Sequence, residues 1–236
     1  MMTKQEDGTA TRRERARPKK GQGPDLHRLE RSALAAFSRR GFEAVGLREL
    51  AASIGIAPTL ILYRYGSKLG LWKALVDELG LRVDQACAAM DSAFATAQPF
   101  PDRASAALRH FVELTLEIPE LAPLFIGEMS EPGERQDYLL DKVWSPFLAS
   151  LLPIIHDAER FGNSDLGVPK FAAFSILSMI LAAQYMAPVI DLAAGAPQHD
   201  PLARVLRPIE RLLTLDLARN RTCDLSTGRS PFNPAP

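Results

Sequence analysis

From Leu26 onward the apolar positions Leu26, Leu29, Ala33, Ala36 and Phe37 recur at three- and four-residue spacing. That period marks one face of an amphipathic helix. Gly41 is placed to end it as a left-handed C′ residue. Leu47, Leu50, Ala51 and Ile54 line a second, short helix, and Gly55 makes a sharp turn after it. A third helix is predicted from Pro58, whose fixed φ and missing N–H suit the first helical position, to Tyr65-Gly66. Short helices meeting at a tight small-residue turn, with polar and aromatic groups on the last one, have the pattern of a helix-turn-helix that reads duplex DNA.

The pattern then lengthens. Ser67 is a good N-cap for a long fourth helix with Leu71, Leu75, Leu79, Val83, Ala86 and Met90 on one stripe. Gln98-Pro99-Phe100-Pro101 breaks it, and Asp102 is expected to cap the next helix, which runs to Pro119. A shorter helix is predicted over Leu121–Met129. Residues 134–160 read as a broken or kinked helix because they contain Pro146 and Pro153. Pro169 opens an apolar helix to about Leu192 with a bend at Pro188, and Asp200-Pro201 starts a last helix that reaches about Ala218. No stretch alternates like a strand. The fold class expected is all-α: a three-helix head over 25–72 and a larger helical body over 73–219, flanked by a basic arm (1–24) and a loose tail (220–236).

Composition narrows the function. Apolar residues make up 47% and charged residues 24% of the 236, a globular balance with a formal net charge of zero. That total conceals the basic run Arg12, Arg13, Arg15, Arg17, Lys19 and Lys20, opposed only by Glu14. Such a run is either a solvated terminus or a phosphate-seeking arm. Two cysteines far apart, Cys87 and Cys223, fit a reducing cytoplasm, and the polar, basic start is unlike a signal peptide. The most membrane-like stretch, Phe171–Leu192, contains Gln184 and Pro188 and is read as a buried helix at a core or subunit interface.

An enzyme is poorly supplied. The four histidines His27, His110, His156 and His199 show no paired metal spacing, and Gly-x-Ser-x-Gly, Gly-x-Gly-x-x-Gly and phosphate-loop motifs are missing. Cys87, between two alanines in a long helix, reads as a packed residue. No catalytic residue, metal or cofactor is expected.

Residues 29–71 resemble, without a gap, the DNA-binding domain of the TetR family of transcriptional regulators. Gly41-Phe42 is similar to the family's first joint and Arg48-Glu49-Leu50-Ala51 to the start of its scaffold helix. Gly55-Ile56-Ala57-Pro58 is similar to the turn into the recognition helix, and Tyr65-Gly66-Ser67-Lys68 with Leu71 to its exit. Two positions depart from the pattern. Leu62 stands where a backbone-contacting tyrosine is usual, followed by Tyr63 and Arg64, and Val45-Gly46 replaces a serine or threonine before the scaffold helix. The resemblance implies a phosphate contact at Lys68 and a packed, buried role for Tyr65. The expected DNA-contact set is Arg48, Ala57, Pro58, Thr59, Tyr63, Arg64 and Lys68, with Thr59 placed to reach a base edge and Arg64 and Lys68 to hold phosphates.

The resemblance also implies a homodimeric repressor on an imperfect palindrome of double-stranded DNA, with an effector that changes the arrangement of the two heads. For a small apolar effector the candidate walls are Phe111, Leu114, Phe125, Met129, Trp144 and Phe147, with His110, Tyr138 or Gln184 as polar contacts. Phe171, Phe174, Leu177, Ile180 and Leu181 form one candidate dimer surface. Leu202, Val205, Leu206, Ile209, Leu212 and Leu213 form the second, and together they suit an intermolecular four-helix bundle. The alternative is a dimeric helical interaction or ligand-binding protein whose DNA binding is weak or lost. Salt-dependent, sequence-selective duplex binding separates the two.

Overall fold

The computed structural model describes residues 26–160, 169–193 and 200–219, with backbone only at 193 and 212–219. The basic arm, the tail with Cys223, and His199 lie outside the described residues, as do the side chains of Leu212 and Leu213. Among the described residues every element is helical.

The head consists of α1 (Leu26–Ala44), α2 (Leu47–Ile54) and α3 (Pro58–Tyr65). Gly41 (φ 76°, ψ 162°) interrupts α1 as expected, but a short helical turn resumes beyond it to Ala44. Gly55 adopts the left-handed conformation (φ 75°, ψ 30°) and donates back to the last carbonyls of α2, so the chain reverses within one residue. Pro58 occupies the start of α3. Leu29, Ala33, Phe37, Ala51, Ile61 and Trp72 close the head's core.

α4 (Lys68–Phe94) begins in the head and continues into the body as one helix, so the expected boundary at residues 72/73 falls inside a continuous rod. Its N-cap is Ser67, whose hydroxyl accepts from the Gly70 amide at 2.9 Å. α5 (Phe100–Glu117) packs along α4. It starts two residues before Asp102, which therefore sits in the first turn and not at the cap. The reason is Pro99 and Pro101, which tolerate N-terminal helical positions and let the helix begin earlier.

α6 (Leu121–Met129) touches both α1 and α9. α7 (Glu134–Leu139) passes through a π turn over Leu140–Trp144 into α8 (Ser145–Arg160). The expected break is thus a π turn just ahead of Pro146, which has no N–H for the carbonyl of Lys142. That carbonyl faces α4 at Gly80, where a Cβ would stand only 3.3 Å from the oxygen, so a residue without a side chain permits the close crossing.

α9 (Pro169–Tyr185) and α10 (Ala187–Ala193) replace the single apolar helix expected, the break falling at Met186 before Pro188. At 17 residues α9 is about 25 Å long, short of the ~30 Å hydrocarbon layer of a bilayer. The stretch Glu134–Arg160 is long and apolar enough to cross a membrane by length and composition, and it packs against α4 and α9. α11 (Pro201–Arg219) lies on α5 and α9 and is capped by Asp200, whose carboxylate accepts from the Ala203 amide at 3.0 Å.

Two expectations about surfaces change here. Leu177, Ile180 and Leu181 of α9, and Val205, Leu206 and Ile209 of α11, are buried within the protomer and cannot face a partner. Leu202 is partly buried against the same core. Their apolar neighbours in α5 and α8 reach them first. Of the interface residues expected on α9, Phe171 and Phe174 remain exposed, and the outward stripe continues through Tyr185, Met186, Val189 and Leu192.

Candidate nucleic-acid interface

α3 is eight residues long, and an α-helix with its side chains is about 10–12 Å across, which the ~12 Å width of the major groove admits. Only Ile61 of this helix is fully buried, on the side that meets the head core. Thr59 and Tyr63 project from the opposite side, Arg64 is exposed on the flank next to Tyr65, and Tyr63 is 90% exposed. Ala57 is exposed before the first turn, where its small side chain leaves the backbone accessible, and Pro58 is half-buried beside it. Arg48 is exposed at the start of α2. The neighbouring Glu49 is held by Arg40 at 2.6 Å, which offsets the one acidic group near that end.

Lys68 is placed differently. It is half-buried in the first turn of α4, its ammonium donates to the Glu43 carbonyl at 3.3 Å, and it lies 4.3 Å from the centre of the Phe42 ring. The adjacent amides at the start of α4 favour an anion at this point. Tyr65 is half-buried, and its hydroxyl donates to Glu30 of α1 at 3.0 Å. Burial first, and then that hydrogen bond to a carboxylate, raise its phenol above the usual range. It is a brace for α3.

Leu62, exposed beside Tyr63, belongs to this surface as well, although the sequence offers only its departure from the usual tyrosine as a signal. Arg135 in α7, which joins the end of the head to the body, was also missed. Its sole local clue is an acid, Glu128, in an otherwise apolar helix seven positions earlier.

The expected effector residues do not converge on one site. Phe111 and Phe147 pack ring on ring with centroids 3.9 Å apart, Trp144 lies 6.2 Å from Phe147, and Leu114 and Phe125 are buried. Gln184 donates to the buried Thr115 hydroxyl at 3.2 Å. His110 instead faces Glu113 at 3.8 Å near the surface, and Tyr138 donates to Asp77 across α4 at 2.6 Å. Met129 is partly buried against the core near the end of α6. A cleft of about 400 Å³ opens elsewhere, between the end of α1 and α6. Burial pushes the Cys87 thiol up to about 11, away from what a nucleophile requires.

An exposed short helix, set on a three-helix head that runs on into a long connecting helix, has the arrangement of a helix-turn-helix. Residues 31–75 match the family model described as bacterial regulatory proteins, tetR family. The family match covers the head alone, and beyond it the likeness to solved structures is one of fold. Among solved structures, a regulatory protein of the tetR family from Rhodococcus RHA1 is similar at 20% identity and a TM-score of 0.60, covering 81% of this chain and 98% of that one. The fatty acid degradation regulator FadR from Bacillus halodurans is similar at 15% identity and a TM-score of 0.57, covering 80% and 97%. A TetR-family regulator from Mesorhizobium loti is similar at 16% identity and a TM-score of 0.55, covering 82% and 95%. The curated proteins contain no match.

Proposed function

We propose that the protein is a homodimeric repressor that binds an imperfect palindrome through α3 and is released by a small apolar effector. The observation that carries the DNA reading is the outward face of α3, where Thr59, Tyr63 and Arg64 stand clear of the head core. Thr59 reads a base edge, while Arg64, Lys68 and Arg48 hold phosphates.

The second copy covers the outward stripe of α9 and α10, where Phe171, Phe174, Tyr185 and Val189 are each more than half exposed or at half. A contiguous apolar stripe of this length is costly to leave in water. An isologous contact between two such stripes also places two α3 helices related by a two-fold axis, as a palindrome requires. Phe111 and Phe147 fill the centre of the body in this structure, so an effector enters there only by parting the two rings, with the Gln184–Thr115 pair as its polar contact. To release DNA it must bind more tightly to the protomer arrangement that misaligns the heads.

Selection of duplexes from a random library with purified protein tests the reading. The expected result is an enriched inverted repeat with half-sites about 34 Å apart or a multiple of that spacing. Recovery of unenriched duplexes, bound equally well at every salt concentration, would overturn it.

A further inference from the structure

The segment that ends α1 is held from two sides. Gly41 breaks the helix, so Phe42 and Glu43 sit on a short turn that the rest of α1 does not carry. The local tie is a long hydrogen bond from the Val45 amide to the Phe42 carbonyl at 3.3 Å. From the head, the Lys68 ammonium donates to the Glu43 carbonyl and lies over the Phe42 ring. From the body, Arg135 of α7 lies over the same ring at 4.2 Å and donates to the Glu43 carboxylate at 3.2 Å. The Phe42 ring packs on Phe37 and edge-on to Trp72, whereas Glu43 beside it is exposed and borders the open cleft of about 400 Å³.

Arg135 has little freedom of its own. Its Nε donates at 2.9 Å to Glu128, a carboxylate only 5% exposed. Withdrawing the guanidinium would strand that buried charge. A planar guanidinium anchored through Nε has the direction of its remaining N–H groups set, so Nη1 is aimed at Glu43. Glu131 faces Nη2 at 3.7 Å and completes the enclosure.

The geometry points to Arg135 as a positioning residue for DNA binding: anchored in the body by Glu128, it fixes Phe42 and Glu43, and these fix the ammonium of Lys68. This rests on the reading above, in which Lys68 holds a phosphate. It also gives the body a physical hold on the head, since any shift of α6 or α7 moves Glu128 and Arg135 together. The device is a charged hinge pin between α6, α7 and the end of α1.

The test compares Arg135→Gln, Arg135→Lys, Lys68→Gln and the double variant Arg135→Gln/Lys68→Gln in the full-length protein. The probes are a duplex selected by the wild type and an unrelated duplex. Arg135→Gln should weaken binding to both by about tenfold and lower the slope of log affinity against log salt by about one, as Lys68→Gln does. Arg135→Lys should behave in the same way, because it keeps the charge and loses the fork. The double variant should bind within about twofold of Lys68→Gln alone, the non-additivity of two groups in one chain of contacts. Without DNA, the Val45 amide should exchange faster in Arg135→Gln and in Arg135→Lys.

Losses that simply multiply in the double variant, a wild-type-like Arg135→Lys, or unchanged exchange at Val45 would each overturn the assignment. If Arg135→Gln does not fold, Arg135→Lys and its double variant with Lys68→Gln carry the same comparison. A wild type that selects no duplex overturns the regulator reading instead. Wild-type selection without the predicted coupling overturns only the role of Arg135.

Discussion

The rings of Phe111 and Phe147 lie with centroids 3.9 Å apart at 31°, fully buried, and join α5 to α8 in the centre of the body. Each fills space that the other cannot relinquish without leaving a void. Phe147→Ala should therefore cost about 3–5 kcal/mol of stability, the range for deleting a buried aromatic. Urea unfolding measures it. A loss below about 1 kcal/mol would mean that the body can collapse around the gap, and so that the site is plastic enough to admit a ligand without strain.

Tyr138 and Asp77 give the protein an alkaline signature. The phenol donates to the carboxylate at 2.6 Å, and that bond, with burial and the negative charge of Asp77 behind it, pushes the phenol up to about 12. The folded state favours the protonated form, so the contribution is complete below pH ~10 and is lost as pH rises through 12. Phenolate absorbance should show a late-titrating tyrosine that Tyr138→Phe removes and Asp77→Asn returns toward the usual range. A wild-type curve identical to that of Asp77→Asn would refute the link between α7 and α4.

What the sequence made legible follows from where each determinant lies. Pro58 at the start of α3, Ser67 at the cap of α4 and Asp200 at the cap of α11 act within one turn of themselves, and each is placed as read. α9 is different: it is apolar nearly all round, so periodicity cannot tell which side meets its own core. Leu177, Ile180 and Leu181 turn inward because α8, α6 and α5 occupy that side, and the outward side falls to Phe171 and Phe174. Arg135 and Glu43 are 92 positions apart, and no local rule pairs them. A separation of 61 positions likewise hides the Tyr138–Asp77 bond, so the sequence alone offers Tyr138 as a pocket residue.

The outward stripe of α9 predicts a single-residue route to the monomer. Phe174 is half exposed and its ring meets Trp144 edge-on at 6.0 Å, so the position is supported from within while its outer face is bare. Phe174→Glu should leave helix content intact and convert dimer to monomer at micromolar concentration, because two like charges would face each other across an isologous contact. Light scattering reads the mass. A dimer that survives this change together with Val189→Glu would place the interface on another face.

Thr59 and Arg64 separate sequence reading from simple charge. Both are exposed on α3, with Thr59 in its first turn and Arg64 in its last. The first turn of a recognition helix is the part that reaches base edges, whereas a cation at the far end meets the phosphate backbone. Thr59→Ala should thus reduce the preference for the selected duplex over a mismatched one by about 5- to 150-fold, equivalent to about 1–3 kcal/mol, with little change in salt dependence. Arg64→Gln should weaken both duplexes alike and reduce the salt slope by about one, as expected for one released counterion. Filter binding across a salt series distinguishes them. If the two variants exchange these behaviours, α3 enters the groove by its other end, and the contact assignment made from its exposed face is inverted.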